Sequence, residues 1–349
     1  MKRSGKFLAI ASVIAAAAVI IVGTGAGSVF VPPVQIIKIF GNKLFGTSLG
    51  DIPASSVSII WEIRFPRVLL GFLVGAALAV SGAAVQSVLK NPLASPYTLG
   101  VSSGASLGAG IIIAGEFYFL GTFTLPAAGL TFGIAAMFIM VWFASKIDKS
   151  LQGTTIVLTG MVMSLFINGI VTVMANAKDE KYKQIMKWQT GSLTGRKWDY
   201  AAILAVVLTV VTTFMLFKSK EMDLLTFGDE QARGIGLDTK TAKILLLIAA
   251  AVLSGTAVAF AGVIGFVDLI APHIARKLFG AKHKVLLPMS ALIGGVFMVL
   301  CDLLARTVLS PNELPVGAVT ALIGAPFFAW VFLRRRTGNA PRRMSTPHC

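Results

Sequence analysis

Apolar runs of about twenty residues recur along this chain, and a helix of that length spans the ~30 Å hydrocarbon core of a membrane. The 349 residues are 56% hydrophobic and only 13% charged. The sequence therefore predicts an all-α, polytopic membrane protein with about ten transmembrane helices, forming a single transmembrane domain over residues 1–349. The spans are predicted at 7–27, 68–89, 97–115, 120–145, 154–175, 200–217, 240–262, 264–280, 285–308 and 316–333.

Basic residues are distributed unevenly between the two sides of this topology. Most of the 31 lysines and arginines lie in the tails and in the connections on the side of the N-terminus. Because lysine and arginine accumulate in cytoplasmic loops, both termini are predicted to be cytoplasmic. The net charge of +16 then reflects topology rather than nucleic-acid binding.

One connection, DLLTFGDEQARGIGLDTK at 223–240, is unusually polar for so apolar a chain. A [ST]-x-x-[DE] capping pattern begins at Thr226, and Gly234 and Gly236 supply stop signals for a short helix. Asp238 is placed to cap the following span. The pattern predicts two short helices at the cytoplasmic surface, and it favours docking to another protein over a plain loop.

Two segments of the chain, 81–100 and 261–280, align with each other. In the predicted topology the first leads inward and the second outward, as in the inverted repeats of many transporters. An internal inverted repeat is therefore predicted. The identical positions are Gly82 with Gly262, Pro92 with Pro272, and Gly100 with Gly280.

Small residues spaced by four occur within the spans and predict close approach of helix backbones. The two ladders are Gly71, Gly75 and Ala79, and Gly100, Gly104 and Gly108.

Ionisable residues inside the spans are few, and such residues are functional candidates because charge is costly in lipid. Asp268 lies in the short eighth span, and Asp302 and Arg306 lie near the outer end of the ninth. Asp302 and Arg306 are four residues apart on one helix face, so they are predicted to pair.

Catalytic motifs do not occur in the sequence. It has no phosphate-binding G-x-x-x-x-G-K-[ST] loop, no serine–histidine–aspartate set, and no cysteine or histidine spacing for a metal. The chain is therefore predicted not to be an enzyme and to carry no cofactor. Two other classes remain open: an ion-driven secondary transporter with Asp268 and Asp302 as its carboxylates, and a scaffold protein that transports nothing.

Several long motifs resemble those of the FecCD permeases, the membrane subunits of bacterial ABC importers for iron-siderophores, haem and cobalamin. RFPRVLLGFLVGAALAVSGAAVQSVLKNPLASPYTLGVSSGASLGAG (64–110) resembles the family signature. FGDEQARGIGL (227–237), GFVDLIAPHIARKLFGAKHKVLLP (265–288) and DLLARTVLSPNELPVGAVTALIGAPFFAWVFLRRR (302–336) resemble further family motifs in the same order. Asp268 departs from the pattern, which has glycine there.

The resemblance implies a permease of the bacterial cytoplasmic membrane that works by ATP-driven alternating access. Two permease subunits, identical or sister chains, surround a central pathway. Two ATPase subunits dock on the cytoplasmic side, and a substrate-binding protein docks outside. A ferric siderophore is the first-ranked cargo, and cobalamin and haem are the alternatives.

The resemblance also implies three groups of site residues. The residues expected to receive carboxylates of the binding protein are Arg64, Arg67 and Arg306. Those expected to contact the ATPase, within coupling helices at about 221–239, are Leu225, Phe227, Gly228, Asp229, Glu230, Ala232, Arg233, Gly234 and Gly236. Those expected to line the pathway are Ser102, Ser103, Asn168, Asp268 and Asp302.

Overall fold

The structure, a computed structural model, describes residues 3–27, 31–175 and 179–338, and the regular secondary structure of these residues is helical throughout. The predicted all-α class is confirmed. The longer helices are α1 (Arg3–Gly25), α4 (Phe65–Val88), α5 (Val101–Gly115), α6 (Thr124–Ile147), α7 (Gly153–Ala175), α9 (Trp198–Phe217), α12 (Thr239–Ala261), α14 (His283–Thr307) and α15 (Val316–Gly338). The shorter helices are α2 (Pro33–Phe45), α3 (Ala54–Ser58), α8 (Asp179–Gln189), α10 (Ser219–Phe227), α11 (Asp229–Gly234) and α13 (Val267–Phe279). The ends of the predicted cytoplasmic tails, residues 1–2 and 339–349, lie outside the described residues.

Each predicted span overlaps one α-helix, although several helix ends differ by a few residues. Among the described residues, seven helical stretches are long and apolar enough to cross a membrane. The helix α5 and the apolar part of α15 are shorter, and α13 has 13 residues. The helices α2, α3 and α8 were not predicted, because they lie in connections and lack a long apolar run.

The helix α4 lies at the centre of the packing. In the helical stretch Ala54–Val88, 89% of the most apolar 18-residue segment is buried. The helix α4 contacts α9, α12, α13 and α14. Gly75 of α4 meets Gly294 of α14 so closely that a β-carbon on either residue would overlap the carbonyl of the other. The first predicted small-residue ladder is thus part of a tight helix–helix contact.

The second ladder packs α5 against α6. A β-carbon on Gly104 would lie 2.5 Å from the carbonyl oxygen of Phe132, and one on Gly108 would lie 2.6 Å from that of Ala128. Gly100 has another role, because it stands at the start of α5 with a φ of +82°. Two of the three glycines in this ladder therefore permit close backbone approach.

The bundle has two ends that carry separate polar clusters. The α10–α11 end contains these two helices, the 148–152 connection before α7, and the N-terminus of α14. The arginine end contains the C-terminus of α1, the N-terminus of α4 and the C-terminus of α14. The cytoplasmic position of the first of these ends stays a prediction.

The two segments of the predicted repeat share little local structure. Gly100 and Gly280 both have positive φ values, +82° and +92°. Pro92, however, lies in a turn, whereas Pro272 lies inside α13. The correspondence between these segments stays a prediction that rests on the sequence.

Candidate functional site

At the arginine end, Arg67 of α4 contacts two carboxylates that sequence spacing does not connect to it. Its Nε and Nη2 atoms donate to Oδ1 of Asp302 at 3.0 and 2.9 Å. Its Nη1 and Nη2 atoms donate to the two oxygens of Glu313 at 2.8 and 3.1 Å. Because a guanidinium carries five donors in a planar fork, one arginine binds both acids and joins α4, α14 and the connection that follows α14.

The other two arginines of this end contact the C-terminus of α1. Arg64 donates to the carbonyl of Gly25 at 3.0 Å, and Arg306 donates to the carbonyls of Gly23 and Ala26, the latter at 2.7 Å. A helix C-terminus leaves carbonyls without intrahelical partners and carries partial negative charge. These arginines therefore cap α1. The predicted pairing within α14 is confirmed, since Nε of Arg306 lies 3.3 Å from Oδ2 of Asp302.

The three arginines predicted to receive a binding protein thus lie together, but their side chains are engaged within the chain. Arg64 and Arg67 are only 7% and 9% exposed. Their docking role stays a prediction, and it would require some of these contacts to open. Glu313 was not predicted from the sequence, and its carboxylate also accepts from the Thr194 hydroxyl at 2.6 Å. The hydrogen bonds from Arg67 lower the pKa of Glu313 below its ordinary value.

Three of the predicted pathway residues, Ser102, Ser103 and Asn168, line one recess among α5, α7, α8 and the connection after α12. Its volume is about 430 Å³, and its other lining residues are Ser106, Val171, Thr172, Met186, Gln189 and Val263. The lining is uncharged, and its polar groups are hydroxyls and amides. Such a surface offers weak contacts to a large ligand without a strong fixed charge.

Asp268 and Asp302 do not line this recess. Asp302 belongs to the arginine cluster, and Asp268 is 1% exposed at the start of α13. The Ser95 hydroxyl donates to the Asp268 carboxylate, and the Gln86 amide donates to the Asp268 carbonyl at 3.1 Å. Asp268 therefore joins α13 to α4 and to the connection after α4.

The polar insert forms two short helices, as predicted. α10 and α11 are separated by Gly228, whose φ and ψ of 126° and 154° lie in a region that only glycine adopts readily. The predicted cap is wrong: Thr226 lies inside α10, and its hydroxyl donates to the carbonyl of Asp223 at 2.6 Å. The predicted cap of α12 is confirmed, because Asp238 accepts from the backbone N–H of Thr241 at 3.2 Å.

The predicted ATPase-contact residues divide into inward and outward groups. Leu225 and Ala232 are buried, and they fix α10 and α11 on the bundle. Phe227 is 73% exposed, and Glu230 and Arg233 are exposed beside it. Gly228 and Gly236 have positive φ values, +126° and +93°, whereas Gly234 is the last helical residue of α11.

Asp229 contacts the bundle rather than projecting from it. Its Oδ2 atom accepts from Nζ of Lys243 at 2.6 Å, and its Oδ1 atom lies 3.1 Å from Nζ of Lys90. Burial alone would raise the pKa of Asp229, but hydrogen bonds and charge from the two lysines outweigh burial and lower it. Lys243 was not predicted as a site residue, although a lysine one turn inside an apolar span is a signal that a sequence can show.

The chain is similar to transport proteins over nearly their whole length. It is 39% identical over 322 residues to the uncharacterised ABC transporter permease protein YvrB of Bacillus subtilis, covering 92% of this chain and 91% of YvrB. It is 35% identical over 306 residues to the iron(3+)-hydroxamate import system permease protein FhuG of the same species, covering 86% of this chain and 90% of FhuG. Other relatives are named as permeases for Fe(3+)-citrate, hemin and cobalamin import.

A solved metal-chelate type ABC transporter in an inward-facing conformation has the same fold. The TM-score is 0.81 at 26% sequence identity, and the match covers 94% of this chain and 99% of that chain. The similarity to these permeases and the shared fold therefore identify an ABC-transporter permease. The chain belongs to the FecCD transport family, whose family model matches residues 14–334. It is a multi-pass membrane protein of a transporter that includes ATPase and substrate-binding-protein partners.

Proposed function

We propose that this chain is the permease subunit of an importer that moves a ferric siderophore into the cytoplasm by ATP-driven alternating access. The recess lined by Ser102, Ser103 and Asn168 carries the proposal. Its uncharged hydroxyls and amides suit the passage of a large chelate that must not be held tightly. The relatives named for iron(3+)-hydroxamate and Fe(3+)-citrate import favour an iron complex, and cobalamin or haem is the alternative cargo.

In this proposal the α10–α11 end faces the cytoplasm, and ATP is hydrolysed in a separate subunit that contacts Phe227 and Glu230. Two permease chains, identical or sister chains, enclose the pathway. An extracytoplasmic binding protein docks at the arginine end. An ion-driven transporter is less well supported, because Asp268 and Asp302, its candidate carboxylates, already have partners within the chain.

Uptake assays test the proposed cargo and energy source together. A strain that lacks this gene, complemented with the wild-type chain, is given radiolabelled ferric hydroxamate, ferric citrate, hemin or cobalamin. We expect the chain to restore ferric-siderophore uptake and expect an inactive ATPase partner to abolish it. Restoration of cobalamin or hemin uptake alone would transfer the assignment to that cargo. Uptake that persists without the ATPase would contradict ATP-driven transport.

A further inference from the structure

Lys243, in the first turns of α12, is fully buried together with its ammonium group. Its Nζ atom donates to Oδ2 of Asp229 at 2.6 Å, to the carbonyl of Leu151 at 3.0 Å and to the carbonyl of Ser150 at 3.5 Å. Buried lysines are rare unless they are paired, and an ammonium has three donors. All three donors of Lys243 thus point to groups on α11 and on the connection between α6 and α7.

The connection between α6 and α7 is held in the shape that presents these carbonyls. The Asp148 carboxylate accepts from the backbone N–H groups of Ser150 and Gln152, at 2.8 and 2.7 Å. Leu151 is fully buried with a φ of +51°, which is unfavourable for a residue with a β-carbon. Backbone strain of this kind persists only where the surrounding structure enforces it. The backbone conformation of the connection that Lys243 contacts is therefore held by contacts other than those of Lys243, including the hydrogen bonds to Asp148.

The same connection leads directly into α7, which forms part of the recess wall. A β-carbon on Gly153, the first residue of α7, would lie 2.6 Å from the carbonyl oxygen of Leu89. Farther along α7, Asn168 lines the recess. The start of α7 is thus packed closely against the end of α4.

The helix α10, in contrast, is attached to another part of the bundle. Its Asp223 carboxylate accepts from the backbone N–H of His283 in α14 at 3.0 Å, and the His283 ring contacts the Ser87 hydroxyl of α4. Gly228 lies between α10 and α11 with a backbone conformation that favours glycine. The two short helices therefore have separate attachments to the bundle and join at Gly228, so a change in their relative angle would carry α11 along with its own contacts.

We propose that Lys243 is a positioning residue that joins α11 to the start of α7, so that a displacement of α11 reaches the recess wall. The role in transport rests on the proposed function, whereas the mechanical connection does not. Lys243 acts through Asp229 on one side and through the carbonyls of Ser150 and Leu151 on the other. It contacts neither cargo nor nucleotide in this proposal.

Spin-label distances test the connection without an ATPase. Gln152 and Gln231 both line a second recess, which lies at the α10–α11 end, and both side chains are exposed. Both are changed to cysteine in the full chain after its two native cysteines are replaced, and the distance distribution between their labels is measured. We expect a narrow distribution with Lys243, a broad one in Lys243→Met, and recovery of the narrow one in Lys243→Arg. An unchanged distribution in Lys243→Met would overturn the proposal.

Transport assays in vesicles, with the complete complex, test the consequence for coupling. We expect Lys243→Met to reduce transport per ATP hydrolysed by about fivefold or more, the lower range of typical coupling energies between sites. Lys243→Arg should restore it, and Lys149→Met, which removes an exposed lysine of the same connection, should leave it unchanged. If Lys243→Met does not assemble, Asp229→Asn replaces it in both assays, and Lys149→Met remains the control. Wild-type coupling in Lys243→Met, or in Asp229→Asn where it replaces Lys243→Met, would contradict the proposal. Broadened label distances in a chain that supports no ATP-driven transport would count against the proposed function alone.

Discussion

Arg67 on α4 and Asp302 on α14 are 235 residues apart in sequence, and they form a buried ion pair with an Nη2–Oδ1 distance of 2.9 Å. The pair joins the central helix of the bundle to its neighbour at the arginine end. Asp302 also lies 3.3 Å from Nε of Arg306, so one carboxylate faces two guanidinium groups. Removal of this carboxylate would leave two positive charges close together in a buried site.

Substitution of Asp302 by asparagine should strongly destabilise the protein. Breaking a buried ion pair by removing one partner costs about 3–5 kcal/mol, because the remaining charge is left without compensation. The free energy of unfolding in detergent measures the loss. As a control, Glu116→Gln removes a carboxylate from the surface pair with Lys181, and exposed pairs contribute about 1 kcal/mol or less. Equal losses in the two variants would contradict the structural importance of Asp302.

Substitution of Glu313 by glutamine should strengthen docking of a binding protein if Arg67 receives one of its carboxylates. Glu313 occupies two donors of Arg67, so its carboxylate competes with that of the partner. The affinity of the purified binding protein for the permease should rise, most clearly at low salt, where charge pairs are least screened. The control is Glu62→Gln, an exposed acid on the same end. Unchanged or weaker docking in Glu313→Gln would argue against Arg67 as a docking residue.

The contact between Arg67 and Glu313 should also make stability depend on pH. The pKa of Glu313 is lower in the folded protein than its ordinary value of 4.5, so the folded state favours the ionised carboxylate. This stabilisation is complete above pH 4.5 and disappears as the pH falls through the lowered pKa. Wild-type protein should therefore unfold at a higher temperature than Glu313→Gln at pH 7, and the difference should shrink in acid. A difference that is constant from pH 7 to pH 3 would disprove this linkage.

Substitution of Gly104 by alanine should separate α5 from α6. The added β-carbon would lie 2.5 Å from the carbonyl oxygen of Phe132 and 2.6 Å from the β-carbon of Ala136. Overpacking of this kind costs about 1–3 kcal/mol of unfolding free energy. Gly169→Ala in α7 is the matched control, because nothing lies within 4 Å of its added β-carbon. Equal free energies of unfolding in Gly104→Ala and Gly169→Ala would contradict the close contact between α5 and α6 at Gly104.

Gly234, the last residue of α11, and Gly236, which follows α11, should respond differently to alanine. Gly236 has a φ of +93°, where alanine costs about 1–2 kcal/mol, whereas Gly234 is helical with open space around it. Gly236→Ala should speed amide hydrogen exchange in α11, because local opening becomes easier. Gly234→Ala should slow it slightly, because alanine is a better helix former than glycine. If amide hydrogen exchange in α11 became faster in Gly234→Ala and not in Gly236→Ala, then Gly234 rather than Gly236 would be the residue that requires glycine at the end of α11.

The spans illustrate what could be predicted without a structure. A lipid core requires long apolar helices, so the runs at 68–89 and 240–262 identified α4 and α12 within a few residues. Glycine positions also identified the two short helices of the insert. The cap at Thr226 was wrongly predicted, because the same hydroxyl can bond a carbonyl one turn earlier inside a helix. The helices α2 and α8 were missed because short amphipathic segments carry a weak pattern.

The sequence alone determined the class of this protein: a helical permease of the FecCD family with a polar insert between two spans. These properties follow from local hydropathy and from long motifs. Only the tertiary structure decided which charges meet. Asp229 contacts Lys243 rather than projecting outward with Glu230, and Arg67 contacts Asp302 and Glu313. Such partners lie on different helices, and the packing that brings them together depends on close backbone approaches that no local pattern encodes.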